Sequence, residues 1–241
     1  MSWLIVGTVP RAGFGLSWGA YALRGRTIHM NGTSVNVARG TPALMATALV
    51  ASEVLGIEPP EALVVGDTGS GAGSRELYAH LTENIDRVRR PGVTFHYLMP
   101  DVQWHNKILW ALEGLARRPV LVADAGFMYA AKMSGFAQHY DLFTPDAGEM
   151  AFLADESAPH PFYTRGFLLQ EEERIPELVT AACAGENAAR HLLVKGRTDY
   201  VVAAGRIVAS LDAPDTPAME PIGGTGDTLT GMLTALVAAN R

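Results

Sequence analysis

Short apolar runs, each closed by a glycine, proline or acidic turn, alternate along the chain with stretches whose apolar residues recur every three or four positions. Trp3-Leu4-Ile5-Val6-Gly7, Ala62-Leu63-Val64-Val65-Gly66 and Val120-Leu121-Val122-Ala123-Asp124 have the length and branched content of buried strands, as do residues 93–98, 141–144 and 191–195. Between Thr41-Pro42 and Gly56, a matched start and stop pair, Leu44, Ala48, Ala51 and Leu55 share one helical face. Further helices are predicted from a Ser74 cap to about residue 88, over 108–117, over 173–190 and over 228–239. The last carries Leu229, Met232, Leu233, Leu236 and Val237 on one face. Residues 200–204 and 207–211 flank Gly205-Arg206 as an edge hairpin. The glycine-rich segment 11–40 predicts only a hairpin of 17–23 with 26–30. Strand–helix alternation implies crossover connections and a mostly parallel sheet covered on both faces, an α/β fold in which residues 1–241 form one domain. Ligands of such sheets sit at the carboxyl ends of the strands, so the chemistry is sought in the loops there.

Composition narrows the function. The chain has 241 residues, 48% hydrophobic and only 18% charged, which excludes intrinsic disorder. Its 19 basic and 25 acidic residues argue against nucleic acid as a partner. The charge is uneven: residues 1–52 hold Arg11, Arg24, Arg26 and Arg39 and no Asp or Glu, which suggests that at least one of these arginines faces an anionic ligand or a subunit neighbour. The single Cys183, in an apolar run, reads as a small buried hydrophobe. Trp104 and Trp110 read as core or interface residues, and His191 as part of a strand. With no apolar stretch of membrane-spanning length and no leader pattern, a cytoplasmic protein without a membrane partner is expected.

Four loops could carry chemistry. Gly223-Gly224-Thr225-Gly226-Asp227, opening the last helix, lets successive backbone N–H groups converge on an anion. Asp227 is then either a base, a metal ligand or a simple N-cap. Gly231, one turn on, suggests close packing against a neighbouring helix. Gly66-Asp67-Thr68-Gly69-Ser70-Gly71-Ala72 has P-loop glycine spacing but Ala72 where the lysine belongs, and Ser74 spoils the dinucleotide fingerprint. It remains either a backbone surface for a ligand or a structural turn. In Thr144-Pro145-Asp146-Ala147-Gly148-Glu149, Asp146 and Glu149 either form a capping box or hold Mg²⁺ through water. Lys195, with Gly196 after a buried strand, either meets a ligand phosphate or reaches solvent, while Asp124 ends its strand as a ligand-side carboxylate or a helix cap.

Taken in order, Ala123-Asp124-Ala125, Thr144-Pro145, Gly148-Glu149-Met150, Val194-Lys195-Gly196 and Gly223-Gly224-Thr225-Gly226-Asp227 with Gly231 resemble the ribokinase-like superfamily. The branch they resemble most is the ADP/ATP-dependent NAD(P)H-hydrate dehydratases, related to the C-terminal domain of YjeF-type proteins. The similarity runs over residues 60–240. Asp146-Ala147 stands where that family has His-Pro, and segment 11–39 replaces its first glycine-rich loop. The resemblance implies a three-layer fold and a homo-oligomer, with segment 11–40 as lid or interface. It also implies ATP or ADP with Mg²⁺, and hydrated NAD(P)H as substrate. In that scheme Asp227 is the base and Gly223, Gly224, Thr225 and Gly226 form the anion hole. Lys195 and Gly196 meet the nucleotide, Glu149 and Asp146 arrange the metal, and Gly66, Asp67, Gly69 and Asp124 lie on the substrate side. A kinase for a sugar or a hydroxyethylthiazole-type alcohol, and a nucleotide-binding protein without catalysis, are the alternatives.

Overall fold

The computed structural model describes residues 2–160, 174–219 and 221–240. Its strands in chain order are β1 (Leu4–Val9), β2 (Ser17–Gly19), β3 (Ala22–Arg24), β4 (Thr27–Met30), β5 (Thr33–Asn36), β6 (Glu61–Gly66), β7 (Gly92–His96), β8 (Val120–Ala123), β9 (Leu142–Phe143), β10 (His191–Val194), β11 (Asp199–Ala203) and β12 (Arg206–Leu211). The helices are α1 (Thr41–Leu55), α2 (Ala72–Glu83), α3 (Val102–Glu113), α4 (Gly126–Met133), α5 (Ala147–Ala154), α6 (Ile175–Ala184) and α7 (Thr225–Ala238).

Nine strands form one sheet in the order β12-β11-β10-β9-β8-β7-β1-β6-β2, and β3-β4-β5 form a small second sheet. The six central strands, β10 through β6, are parallel, and the edges are closed by antiparallel β2 on one side and the β11–β12 hairpin on the other. Side-chain alternation along the central strands makes the two cores. Leu4, Val6, Leu63 and Val65 enter the cluster filled from α2 to α6, whereas Ile5, Val9, Ala62 and Val64 enter the one filled by α1 and the small sheet. Helices thus cover both faces, as the alternation of predicted elements requires.

Several boundaries differ from the pattern-based reading. Ser17–Gly19 does not pair with 26–30; it adds to the large sheet beside β6, and the hairpin partner of β4 is β3. Ser74 lies inside α2 and does not cap it, because the Asp67 carboxylate accepts from the Ser74 N–H and hydroxyl and supplies the capping itself. Asp101, accepting from Trp104 N, caps α3, which begins at Val102, six residues before the predicted Ile108. α4 is not among the predicted helices, because its eight residues span barely two turns, too few for a helical repeat to stand out in the sequence. The predicted start of α6 at residue 173 lies outside the described residues. Cys183 is half-buried and not fully interior, and Trp110 is exposed while Trp104 packs on the core. Among the described residues no helix is long and apolar enough to cross a membrane.

α1 and α7 pack directly on one another. Gly231 is what lets them close, since a Cβ there would collide with the backbone carbonyl of Leu44. Gly231→Ala is therefore expected to cost roughly 1–3 kcal/mol through overpacking, read as a lower urea midpoint with an unchanged slope.

Candidate active site at the carboxyl edge of the sheet

Because β1, β7, β8, β9 and β10 run parallel, their carboxyl ends meet on one edge. That register delivers Thr8, His96, Asp124, Thr144 and Lys195 to the same neighbourhood. The β9–β10 pairing continues past the strands as a bridge between Asp146 and Lys195. α1 and α7 begin there too, each from a glycine with positive φ and without a side-chain cap: Gly40 (φ 70) and Gly224 (φ 103). At Gly224 a Cβ would stand 2.6 Å from the Ala38 carbonyl, so the loop lies against the start of α1. On α1 the Ala43 and Leu44 N–H groups return to the Gly40 carbonyl and Pro42 has none, so the helix start left without a cap at this edge is chiefly that of α7.

Asp227, in the first turn of α7, is buried between them. Its Oδ2 accepts from the Gly40 N–H at 2.6 Å, and its Oδ1 lies 3.0 Å from His96 Nε2. Burial alone would raise the Asp227 carboxyl, but His96 and the Gly40 amide outweigh it and hold the group below the ordinary carboxylate range. Beside it a cavity of about 100 Å³ is lined by Thr8, Pro10, Arg39, Gly40, Asp67 and Tyr97. Tyr97 holds φ 50, a left-handed conformation costly for an aromatic residue, and its carbonyl accepts from the Thr8 hydroxyl. Ala125, at the next strand end, is held at φ 51, with its N–H donated to Asp124 Oδ1 at 2.8 Å.

Beneath the cavity lies a buried ionic layer. Asp124 accepts from Lys195 Nζ at 3.1 and 3.3 Å and from Thr230 Oγ1 at 2.7 Å. Burial opposes ionisation of Asp124, but Lys195 and His96 outweigh it and lower its value. Burial likewise pushes the Lys195 ammonium down, yet Asp124 and Glu149 more than reverse that. Lys195 also lies against Gly226 of the glycine loop. Asp146 and Glu149 form the reciprocal capping box, with Asp146 Oδ1 accepting from Glu149 N at 2.8 Å and Glu149 Oε2 from Asp146 N at 2.9 Å. Glu149 Oε1 takes the Tyr129 hydroxyl at 2.5 Å. Burial, then the carboxylates of Asp146 and Asp124, push the Glu149 carboxyl up to about 8. A group raised above its free value of 4.5 favours the folded state most below that value. Unfolding free energy in metal-free buffer is therefore expected to decline as pH rises from 4.5 to about 8, and Glu149→Gln to flatten that decline, measured by urea midpoints at matched pH.

The structure brings Gly223, Gly224, Thr225, Gly226, Asp227, Asp124 and Lys195 together. Asp124 is buried, and its oxygens are engaged by Lys195, Thr230 and the Ala125 N–H. Asp67 borders the cavity, but its carboxylate is committed to the N–H groups of Gly69, Gly71 and Ser74, and these hydrogen bonds lower its value against the raising effect of burial. Gly66 donates its N–H to the Phe14 carbonyl, and a Cβ there would meet the Arg11 and Phe14 carbonyls, so it shapes the loop. The Gly196 N–H is taken by Asp199. Of the four N-terminal arginines, Arg39 borders the cavity and lies on Gly223 and Gly224, whereas Arg24 lines a separate open pocket of about 440 Å³ beside the small sheet. Sequence reasoning missed His96, Thr41, Thr230 and Tyr97. Phe95-His96-Tyr97 closes a predicted strand as Asp124 and Lys195 do, and that shared position was the available signal.

A family model described as NAD(P)H-hydrate dehydratase matches residues 100–241, the part of the chain that supplies Asp124, Glu149, Lys195 and Asp227. The uncharacterized protein MJ1337 of Methanocaldococcus jannaschii is 37% identical over 179 residues, covering 74% of this chain and 72% of that protein. Among solved structures, the tetrameric inhibited form of Escherichia coli phosphofructokinase-2 aligns with a TM-score of 0.54 at 12% identity, over 100% of this chain and 88% of that one. The pyridoxal kinase of Staphylococcus aureus, in complex with AMP-PCP and pyridoxal, aligns with a TM-score of 0.51 at 12% identity, over 100% and 82%. At such identities the likeness is one of fold. Sequence and fold agree: the chain belongs to the NAD(P)H-hydrate dehydratase family and has the ribokinase-like architecture.

Proposed function

We propose that the protein is a nucleotide-dependent enzyme that repairs hydrated NAD(P)H. The observation that carries this reading is Asp227, held below the ordinary carboxylate range and oriented in the first turn of α7, a helix that opens on the glycine loop without a side-chain cap. The hydrate hydroxyl loses its proton to Asp227 as its oxygen bonds to the terminal phosphorus of the nucleotide, which leaves with one phosphate fewer. Loop amides stabilise the charge on the transferring group. The C–O bond to the new phosphate then breaks, phosphate departs, and loss of a ring proton restores the dihydronicotinamide double bond. Lys195 and Gly196 lie on the nucleotide side in this scheme. The AMP-PCP bound by the S. aureus pyridoxal kinase supports a nucleotide on this fold.

Mg²⁺ suits the Asp146–Glu149 pair. Burial and the neighbouring Asp146 and Asp124 carboxylates lift Glu149, a repulsion that a dication relieves, and Asp146 is exposed with its Oδ1 engaged in the capping box. Among the described residues no three His, Cys, Asp or Glu side chains are grouped to hold a metal directly, and in this reading the pair would hold the ion through water. When bound, the ion would neutralise phosphate charge.

The small cavity beside Asp227 favours a second reading, a kinase for a compact alcohol, with the same base and no elimination. Incubation of hydrated NADH, and separately of compact alcohols, with ADP or ATP tests both. Return of the NADH absorbance band supports repair. A stable phosphorylated alcohol without that return establishes the kinase. Thermal stabilisation by nucleotide with no turnover on either substrate leaves a binding protein.

A further inference from the structure

We propose that His96 is the positioning residue of this site, fixing the Asp227 carboxylate and tying it to the Asp124–Lys195 pair. The inference rests on the reading of Asp227 as the base. His96 is completely buried at the end of β7, where an imidazole is costly unless its nitrogens are answered. Each nitrogen meets a side chain from a different element. Nδ1 lies 3.0 Å from Thr41 Oγ1 on α1; Nε2 lies 3.0 Å from Asp227 Oδ1 on α7 and 3.8 Å from Asp124 Oδ2 after β8. Tyr97 packs on the ring with centroids 4.6 Å apart. Gly7 on β1 leaves room for both the His96 carbonyl and the Thr41 side chain. These are the groups facing the ring from every element packed on it, with Lys195 behind Asp124 and Arg39 near Tyr97.

The ring is therefore held on three sides, while among the described residues the Asp227 carboxylate is held by Gly40 and by the ring. Asp124 cannot yield, being clamped by Lys195 and Thr230. Nε2 makes no well-aligned hydrogen bond to either carboxylate, so its pull is shared between them. A histidine that served packing alone would not be aimed at two carboxylates from the strand end that borders the cavity. Its removal would let Asp227 rotate and would free the carboxyl to titrate higher.

The test compares wild type with His96→Gln, which keeps an N–H within reach of Asp227, His96→Leu, which does not, and Thr41→Val, which removes the Nδ1 partner and leaves the ring. Carboxyl ¹³C labelling of aspartate, assigned with Asp227→Asn, follows the Asp227 titration without substrate or nucleotide. The expected result is a rise of the Asp227 midpoint in His96→Leu and Thr41→Val toward the ordinary carboxylate range, with His96→Gln close to wild type. In turnover, kcat should fall about 10²-fold in His96→Leu, with KM little changed and the acid limb moved to higher pH, and recover most of the way in His96→Gln. An Asp227 midpoint unmoved in both His96→Leu and Thr41→Val, or a kcat that tracks only the folded fraction, overturns the proposal. Should His96→Leu not fold, Thr41→Val and His96→Gln decide the matter by the same titration. Full activity in Asp227→Asn would instead remove the base, a failure of the functional reading that the titration distinguishes from a failure of His96.

Discussion

Asp227→Asn is expected to lower turnover about 10²- to 10⁴-fold while the thermal midpoint and nucleotide affinity stay near wild type. The amide has the size of the carboxylate and can still accept from the Gly40 N–H, so the packing between α1 and α7 survives. It cannot take up a hydroxyl proton, and the step that activates the acceptor oxygen is lost. Because the wild-type carboxyl lies below its ordinary value, activity of the native enzyme should hold well down the acid range until that group protonates. Rate, midpoint and nucleotide binding measured on the same preparations separate loss of the base from loss of the fold. Unchanged turnover would remove Asp227 from the chemistry.

The largest stability effect is expected at Lys195. Its side chain is 14% exposed and that of Asp124 3%, so Lys195→Met leaves a carboxylate buried with Thr230 and Ala125 as its close donors. Breaking such a pair from one side costs about 3–5 kcal/mol. Pairing holds Asp124 below its free value, so its contribution is present at neutral pH and fades as pH falls through the folded value. The gap between Lys195→Met and wild type should therefore narrow in acid. Combining Lys195→Met with Asp124→Asn should restore much of the loss, and a double-mutant cycle by urea unfolding measures the coupling. A gap constant with pH would mean that the lysine acts through packing alone.

The central strands were legible in the sequence because burial on both faces writes them as uninterrupted apolar runs. The glycine loop before α7 and the capping box at Asp146 were legible because each depends on neighbours a few residues away, and the close approach at Gly231 because a glycine inside a helix marks a tight contact even when its partner, Leu44, is distant in the chain. The ionic layer was not. Thr41 reads as a good helix start, and nothing local shows that its hydroxyl turns to a histidine 55 positions on. Ser74 looks like a cap until Asp67 arrives from the preceding turn. Asp124 invites a ligand-facing reading, and only the convergence of β8, β10 and α7 shows that Lys195 and Thr230 cover it. What the sequence hid were contacts between strand ends, whose meeting depends on sheet order.

The bare beginning of α1 limits how the protein can be toughened. Installing a serine or aspartate cap at residue 40 is an ordinary route to a hardier helix, yet here the backbone has a conformation suited to glycine and its N–H is spoken for by Asp227. Thr41 is equally unavailable. An engineer seeking heat resistance would have to look to the far end of this helix or to other elements, for at its start Gly40 and Thr41 are already committed to Asp227 and His96.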